Sequence, residues 1–492
     1  MDIPQAKVLQ KRRQRFIQKR TGRRIAMGAE VLLAGEVHRH PSSYVDPHGF
    51  VFSHEGNIYR AIKDASGDFY AKLFSDGTIE RFMDNGLVAS SLSEVVLELP
   101  DVAFIIQHER IEPETYCVEW CPAMLLDAAR LTVSMLKTAF SVNATLQDAY
   151  PWNILFNGAT PVFLDLTSIA PRKPGLVWPA LEQFHAFFLR PLALATQGKG
   201  NVARDFLYNN IGGISFESFW NNTSTGYKAS HPGQALGFFI SSRVKNRQSL
   251  QRKLKHRALS ERPIPEALFS RFCRGLEKRL DAFDFSTKED IWSQYYREID
   301  PLFDTGKKLS LVGEVLDRLA PASVLDAGCN TGAFSVLAAQ KGARVMSVDS
   351  SEASINKLYH YARQNNLEIT PVVADLLCPT PSFGFMGSQY PPLFKRAQSE
   401  MVFALALMHH LHIPGRQSFE RISRMFSQLS TKHLLFEFVD MDDQNNDLIG
   451  AGRDIRYSFE DVMCALKKHF PTISVMDSDR PTRKLLLCTK NG

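Results

Sequence analysis

Val324-Leu325-Asp326-Ala327-Gly328-Cys329-Asn330-Thr331-Gly332 joins the end of an apolar strand to the start of a helix. Two glycines four apart let the backbone turn sharply and approach a ligand with no Cβ in the way. The helix start adds free N–H donors. The pattern around this loop alternates. A helix is expected over Ala333 to Gln340, stopped by Gly342, and a strand over Arg344 to Val348. Ile355, Leu358, Tyr359 and Ala362 recur at helical spacing. Ile369 to Ala374 and Met401 to Leu405 read as strands, Phe419 to Leu429 as a helix, and His433 to Val439 as a strand. A helix over Phe459 to His469 comes before short strands at Ile473 to Met476 and Lys484 to Cys488. Alternation of this kind predicts an α/β fold, a doubly wound parallel sheet covered on both faces. The last two strands have no helix between them, so they are expected as an antiparallel hairpin at one edge.

A loop at the carboxyl edge of such a sheet is where open α/β folds bind ligands. Asp349 closes the second strand, 23 residues after Asp326, where an acid accepts protons from both ribose hydroxyls. A dinucleotide site uses G-x-G-x-x-G against a pyrophosphate. Here the spacing is G-x-x-x-G led by an acid, which repels a pyrophosphate and suits a cationic ligand with an amino group. S-adenosylmethionine (SAM), a sulfonium with an α-amino group, fits that description better than NAD. The segment resembles motif I of class I SAM-dependent methyltransferases, and the resemblance covers about Ser286 to Thr489. It implies a Rossmann-like domain in which Asp326, Gly328, Asn330 and Gly332 hold the methionine end. Asp349, followed by Ser350, matches the ribose position, and Asp375 in Val372-Val373-Ala374-Asp375 matches the acid at the adenine amine. Asn330 stands where the family has its middle glycine, and asparagine tolerates the left-handed conformation.

In that class, residues after the fourth strand line the site of transfer. Here they read Leu405-Ala406-Leu407-Met408-His409-His410-Leu411. The Pro-Pro-Tyr type motif of many amine-methylating enzymes does not follow this strand, so a hydroxyl acceptor is expected over an amine. His409 or His410 is a candidate base, because imidazole titrates near neutrality. Adjacent residues diverge, so one of the two is expected to face the acceptor. Glu437 in the fifth strand is a third candidate, set against the reading of a hydrogen-bonded structural acid.

The first half is less regular. Gly49 to Ile62 reads as a hairpin turning at Glu55-Gly56-Asn57, Ala123 to Phe140 as a helix, and Asn153 to Leu164 as a second hairpin turning at Asn157-Gly158. Leu176 to Thr196 is strongly apolar, yet Glu182, His185 and Arg190 interrupt it, so a buried helix is expected rather than a membrane span. Around the second hairpin lies a second pattern. Asp148 is followed by Asn153, and Asp165 comes twelve residues after that. D-x-x-x-x-N, hairpin, D is similar to the catalytic and metal loops of protein and aminoglycoside kinases. The resemblance implies an α+β kinase-like domain with Asp148 as base, Asn153 and Asp165 on Mg²⁺, and ATP as a second cofactor. Parts of that pattern differ: Gln147 precedes Asp148, Leu166-Thr167 replaces Phe-Gly, no G-x-G-x-x-G precedes, and nothing selects Lys63 or Lys72 as a phosphate lysine.

Both halves together resemble a bacterial family of large SAM-dependent methyltransferases, some of them associated with nodulation. That arrangement implies three parts: a kinase-like domain with a basic arm over 1–240, a basic helical linker over 241–285, and the methyltransferase domain over 286–492. The first 25 residues hold nine Lys/Arg and one acid, which reads as a solvated arm. Twelve Lys/Arg meet three acids between Ser241 and Leu280, which reads as a solvated helical connector. Composition agrees with an ordinary globular chain: 492 residues, 44% hydrophobic and 22% charged exclude a mainly disordered chain or a small disulfide scaffold. A net charge of +6 is too small to argue nucleic-acid binding. Seven cysteines without zinc spacing point to reduced thiols and a cytoplasmic location. The expected activity is methyl transfer from SAM to an acceptor such as a saccharide, small molecule or protein. Two other readings stand beside it: a bifunctional or phosphotransfer enzyme, and a non-catalytic SAM-binding scaffold.

Overall fold

The computed structural model describes residues 30–172, 177–209, 212–234, 264–285, 306–443 and 456–490. The basic arm and the most basic part of the connector lie outside them.

The first half opens with an antiparallel sheet. Its strands are β1 (His38–Arg39), β2 (Gly49–His54), β3 (Asn57–Lys63), β4 (Ser90–Leu92) and β5 (Val102–His108), in spatial order β1-β2-β3-β5-β4. Glu55 and Gly56 turn β2 into β3 with φ of 46° and 80°. Pro122 at the first helical position starts α1 (Pro122–Ser141), which buries Leu126, Ala129 and Leu136 at the expected spacing. Four short strands follow: β6 (Ala144–Leu146), β7 (Ile154–Asn157), β8 (Thr160–Phe163) and β9 (Ile169–Pro171). β7 pairs with β8, and β6 pairs antiparallel with β9. That second pairing lays the loop 147–153 beside 164–168. The apolar stretch is helical from Leu181 to Ala195, with a π turn over His185–Leu189. Of its charged residues Arg190 is buried, with bonds to the exposed Glu182 (2.6 Å) and the Ile214 carbonyl (2.8 Å). Among the described residues no helix is long and apolar enough to cross a membrane.

The described end of the connector is not solvated on all sides. Helix α2 (Glu266–Asp281) buries Phe269, Cys273, Leu276 and Leu280. Phe269 stacks on Phe140 of α1 at 3.6 Å, and Lys137 bonds Glu277 at 2.6 Å. Its basic residues occupy the remaining, polar face.

The second half begins with α3 (Lys307–Leu319) and β10 (Ser323–Ala327), α4 (Ala333–Gln340), β11 (Arg344–Asp349), α5 (Glu352–Gln364) and β12 (Ile369–Val373). It continues with β13 (Ser399–Ala404), α6 (Met408–His412), α7 (Phe419–Leu429), β14 (Ser430–Val439), α8 (Phe459–Lys467), β15 (Thr472–Asp477) and β16 (Arg483–Thr489). The strand order is β12-β11-β10-β13-β14-β16-β15. The first five are parallel, with Leu325 opposite both Met346 and Val402. β16 runs antiparallel to β14 and β15, which is the hairpin expected at the edge. Order reverses at β10, so the loop after β10 lies at the switch point where such sheets bind ligands.

The halves share a core. One hydrophobic cluster runs from Tyr70 and Trp120 through Tyr359 to Phe403. Arg396 (4% side-chain exposure) grips the fully buried Glu119 carboxylate with two bonds of 2.5 and 3.0 Å. Tyr359 and Arg363 on α5 both reach Asp127 on α1, at 2.7 and 3.1 Å.

Candidate active site

The loop after β10 takes the predicted turn. Gly328, Asn330 and Gly332 all have positive φ, of 75°, 52° and 85°. A Cβ at Gly332 would overlap Leu358 of α5, so glycine is needed there for space as well as conformation. Asn330 holds the third left-handed position where glycine was expected. The cost of about 1 kcal/mol for such a residue is offset by anchoring: its N–H donates to Asp349 Oδ2 at 2.8 Å. The other oxygen of Asp349 accepts from the Ser351 N–H at 2.8 Å. Asp349 is thus fixed at the tip of β11, half-buried, with its carboxylate against the loop, and Ser350 beside it is exposed.

Asp326 is placed differently from the loop. It is 2% exposed and accepts from Ser335 Oγ at 2.6 Å, while Ser335 in turn accepts from Ser347 Oγ at 2.7 Å. Burial pushes its carboxyl up to about 6, against the pull of the Ser335 hydrogen bond. Asp326 therefore ties β10 to the first turn of α4. Asp375 lies beyond β12, exposed, and caps the next turn through the Leu377 N–H at 2.8 Å. The sequence reading overlooked Thr331, whose hydroxyl is buried with no partner among the described residues. It was legible as the only side-chain hydroxyl in the loop.

These groups fit SAM. Asp349 is a fixed acceptor at the strand tip, and Thr331 is an orphaned polar group in the loop. The N-terminal N–H groups of α4 lie beside both. The three residues expected on the acceptor side lie on α6 and near the end of β14. His409 is 4% exposed and its Nδ1 has no partner among the described residues. Burial, then the neighbouring His410 and Arg483, depress its pKa to about 3. His410 lies 4.3 Å away ring to ring, and burial lowers its pKa too. Glu437 is fully buried with both oxygens engaged: Oε2 by Lys308 at 2.6 Å, Oε1 by Ser478 at 2.8 Å. Arg483, within 4.0 Å of the same carboxylate, is held by Asp443 at 2.8 Å. Neither Lys308 nor Arg483 stood out in the sequence.

The second pattern also comes together. Asp148, Asn153 and Asp165 line one cavity of about 480 Å³ in the first half. Asp165 is already saturated, however. Its Oδ1 takes Arg60 at 3.0 Å, the Thr167 hydroxyl at 2.7 Å and the Thr167 N–H at 3.2 Å. Its Oδ2 faces the Asn153 amide nitrogen at 3.4 Å, so that pair meets donor to acceptor rather than as two oxygen ligands. Among the described residues no three His, Cys, Asp or Glu gather to hold a metal. As placed, Asp165 is engaged by Arg60 and Thr167 rather than presented to a metal. Burial, then Asp165, raises the pKa of Asp148.

Comparison with known proteins agrees with the loop. The model of the methyltransferase domain family matches residues 324–428. Over 443 residues the chain is 26% identical to the nodulation protein NoeA of Rhizobium meliloti (strain 1021), covering 88% of this chain and 92% of that protein. Among solved structures it is similar to monomeric WbdD at 19% identity and a TM-score of 0.28, over 40% of this chain and 45% of WbdD, less than half its length. It is also similar to the magnesium protoporphyrin IX methyltransferase ChlM of Synechocystis PCC 6803, at 17% identity and a TM-score of 0.27, over 42% of this chain and 86% of that one. Residues 324–428, which hold the left-handed loop and the acid at the tip of β11, match a methyltransferase domain, and the chain is a SAM-dependent methyltransferase.

Proposed function

We propose that the enzyme moves the methyl group to a hydroxyl oxygen, with His409 as the group that meets that hydroxyl. The observation that carries this is an imidazole nitrogen on α6, just after β13, buried without a partner among the described residues. SAM supplies an electrophilic methyl on a positive sulfur. Asp349 and the Gly328–Gly332 loop hold its ribose and methionine ends, Thr331 completes the loop's hydrogen bonding, and Asp375 is assigned to the adenine amine. A pKa near 3 keeps His409 neutral at working pH, so it accepts the hydroxyl's hydrogen bond and aims its lone pair. With Arg483 nearby, His409 is a poor resting place for the proton. The oxygen–methyl bond therefore forms as the methyl–sulfur bond breaks and S-adenosylhomocysteine leaves, the hydroxyl proton passes to solvent water after transfer, and positioning supplies most of the rate. Glu437 is assigned no proton transfer, because Lys308 and Ser478 engage it.

We read the first half as a kinase-like scaffold, supported by the order sheet, long helix, Asp148 loop, hairpin and Asp165. The saturation of Asp165 supports recognition over phosphotransfer, so no ATP or Mg²⁺ chemistry is assigned to it. Seven unpaired thiols support a reducing, cytoplasmic setting. The test is transfer of labelled methyl from SAM to matched hydroxyl and amine acceptors, with the product's methyl located by mass spectrometry. Methyl on oxygen is expected, and methyl on nitrogen overturns the reading.

A further inference from the structure

The cavity of the first half has walls from both halves. Tyr390, from the segment between β12 and β13, closes it through a 3.0 Å hydroxyl contact with Tyr44. Tyr44 also bonds Gln389 at 3.4 Å. One wall is aromatic: Tyr150 and Trp152 stack face to face with rings 4.7 Å apart and 24° from parallel, and the Tyr390 ring lies 6.2 Å from Trp152. The indole N–H of Trp152 is buried with no acceptor among the described residues. Facing groups are planar and polar, among them Gln147, Asp148, Asn153 and Gln183.

Charge narrows the ligand. Asp46, Glu109, Glu114, Asp148 and Asp165 line the cavity against only Arg60 and Arg110. Both arginines are already paired, Arg60 with Asp165 and Arg110 with Glu112 at 2.5 Å. A phosphate group entering here meets net negative charge. A metal that would offset it must first displace Arg60 from Asp165. An apolar ligand would leave the indole N–H unsatisfied, at about 1–3 kcal/mol, and would bury the Asp148 carboxylate with Gln183 as its side-chain hydrogen-bond partner. The remaining class has flat C–H faces and many hydroxyls.

We propose that this cavity binds a neutral saccharide, its ring packed against the Tyr150–Trp152 stack and its hydroxyls donating to Asp148 and accepting from the Trp152 indole. That the same molecule is the methyl acceptor rests on the hydroxyl reading above; the binding does not.

The test is a printed array of neutral, amino and phosphorylated saccharides probed with the labelled full chain, followed by calorimetry on the best neutral binder and on ATP with Mg²⁺. Selective binding of neutral saccharides is expected, weakened at least tenfold in both Asp148→Asn and Trp152→Ala. Far-ultraviolet circular dichroism checks that each variant is folded. Asp349→Ala, which removes the SAM contact, should leave the array signal unchanged, so failure of the methyl-transfer reading and failure of this one are told apart. An array without neutral binders overturns the proposal. So does preference for phosphorylated sugars, or ATP binding that depends on Mg²⁺ and is lost in Asp165→Asn.

Discussion

The loop at Asp326–Gly332 and the loop at Asp148–Asp165 both follow a strand, carry acids at regular spacing and look like ligand sites in sequence. They differ in what the acids are left to do. Asp349 takes two backbone N–H groups, from Asn330 and Ser351, which orient its oxygens. Asp165 is occupied by Arg60, Thr167 and Asn153. Backbone donors come from the motif itself, whereas Arg60 comes from β3, more than a hundred residues earlier. A motif therefore fixes where a carboxylate sits, and distant partners fix whether it is free to act.

The comparison assumes that both regions belong to one folded unit, and the largest predicted effect tests this. Arg396→Ala leaves the Glu119 carboxylate buried and unpaired, costing about 3–5 kcal/mol. Denaturant unfolding of the full chain should show the loss in a single transition; separate transitions with only the second weakened would split the two regions. Next comes the pH dependence of the SAM loop. The folded-state pKa of Asp326 is raised to about 6 from 3.8, so its contribution is fully present below pH 4 and is lost as pH rises through 6. The loss amounts to about 3 kcal/mol. Asp326→Asn should flatten that part of the stability profile, and an unchanged slope would move the titration elsewhere.

A smaller effect concerns the acceptor side. His409→Gln should lower turnover about 100-fold while SAM affinity holds, measured as SAM consumption with a hydroxyl acceptor. Equal losses in turnover and SAM affinity would make His409 structural. The smallest effect sharpens the loop. Asn330→Gly relieves a left-handed residue and should raise thermal stability by no more than about 1 kcal/mol, with SAM binding retained because the donor is the backbone N–H. Lost binding would give the Asn330 side chain a role of its own.

Much of the second half was legible in the sequence. The helix over Phe419–Leu429 and the order of strands follow from apolar period and from glycine stops. The three left-handed positions followed from Gly-x-Asn-x-Gly, because few residues occupy that region. Thr331 was visible but unremarked. Arg60, Tyr390, Lys308 and Arg483 were not legible, since each acts through a partner from a remote segment. The helix at Glu266–Asp281 was read as a connector because its charges dominate the composition. Phe269, Cys273, Leu276 and Leu280 nonetheless form a packed stripe. Asp326 was assigned to the ligand, and the bond from Ser335 to one of its oxygens is a contact that the loop spacing does not reveal.

The most direct test of the central claim is calorimetric titration of the full chain with SAM, beside Asp349→Ala. The account predicts micromolar binding, weakened about 30-fold in the variant, the equivalent of about 2 kcal/mol for hydrogen bonds to a charged group. Absence of binding to the unaltered chain, or equal binding to both proteins, would contradict it.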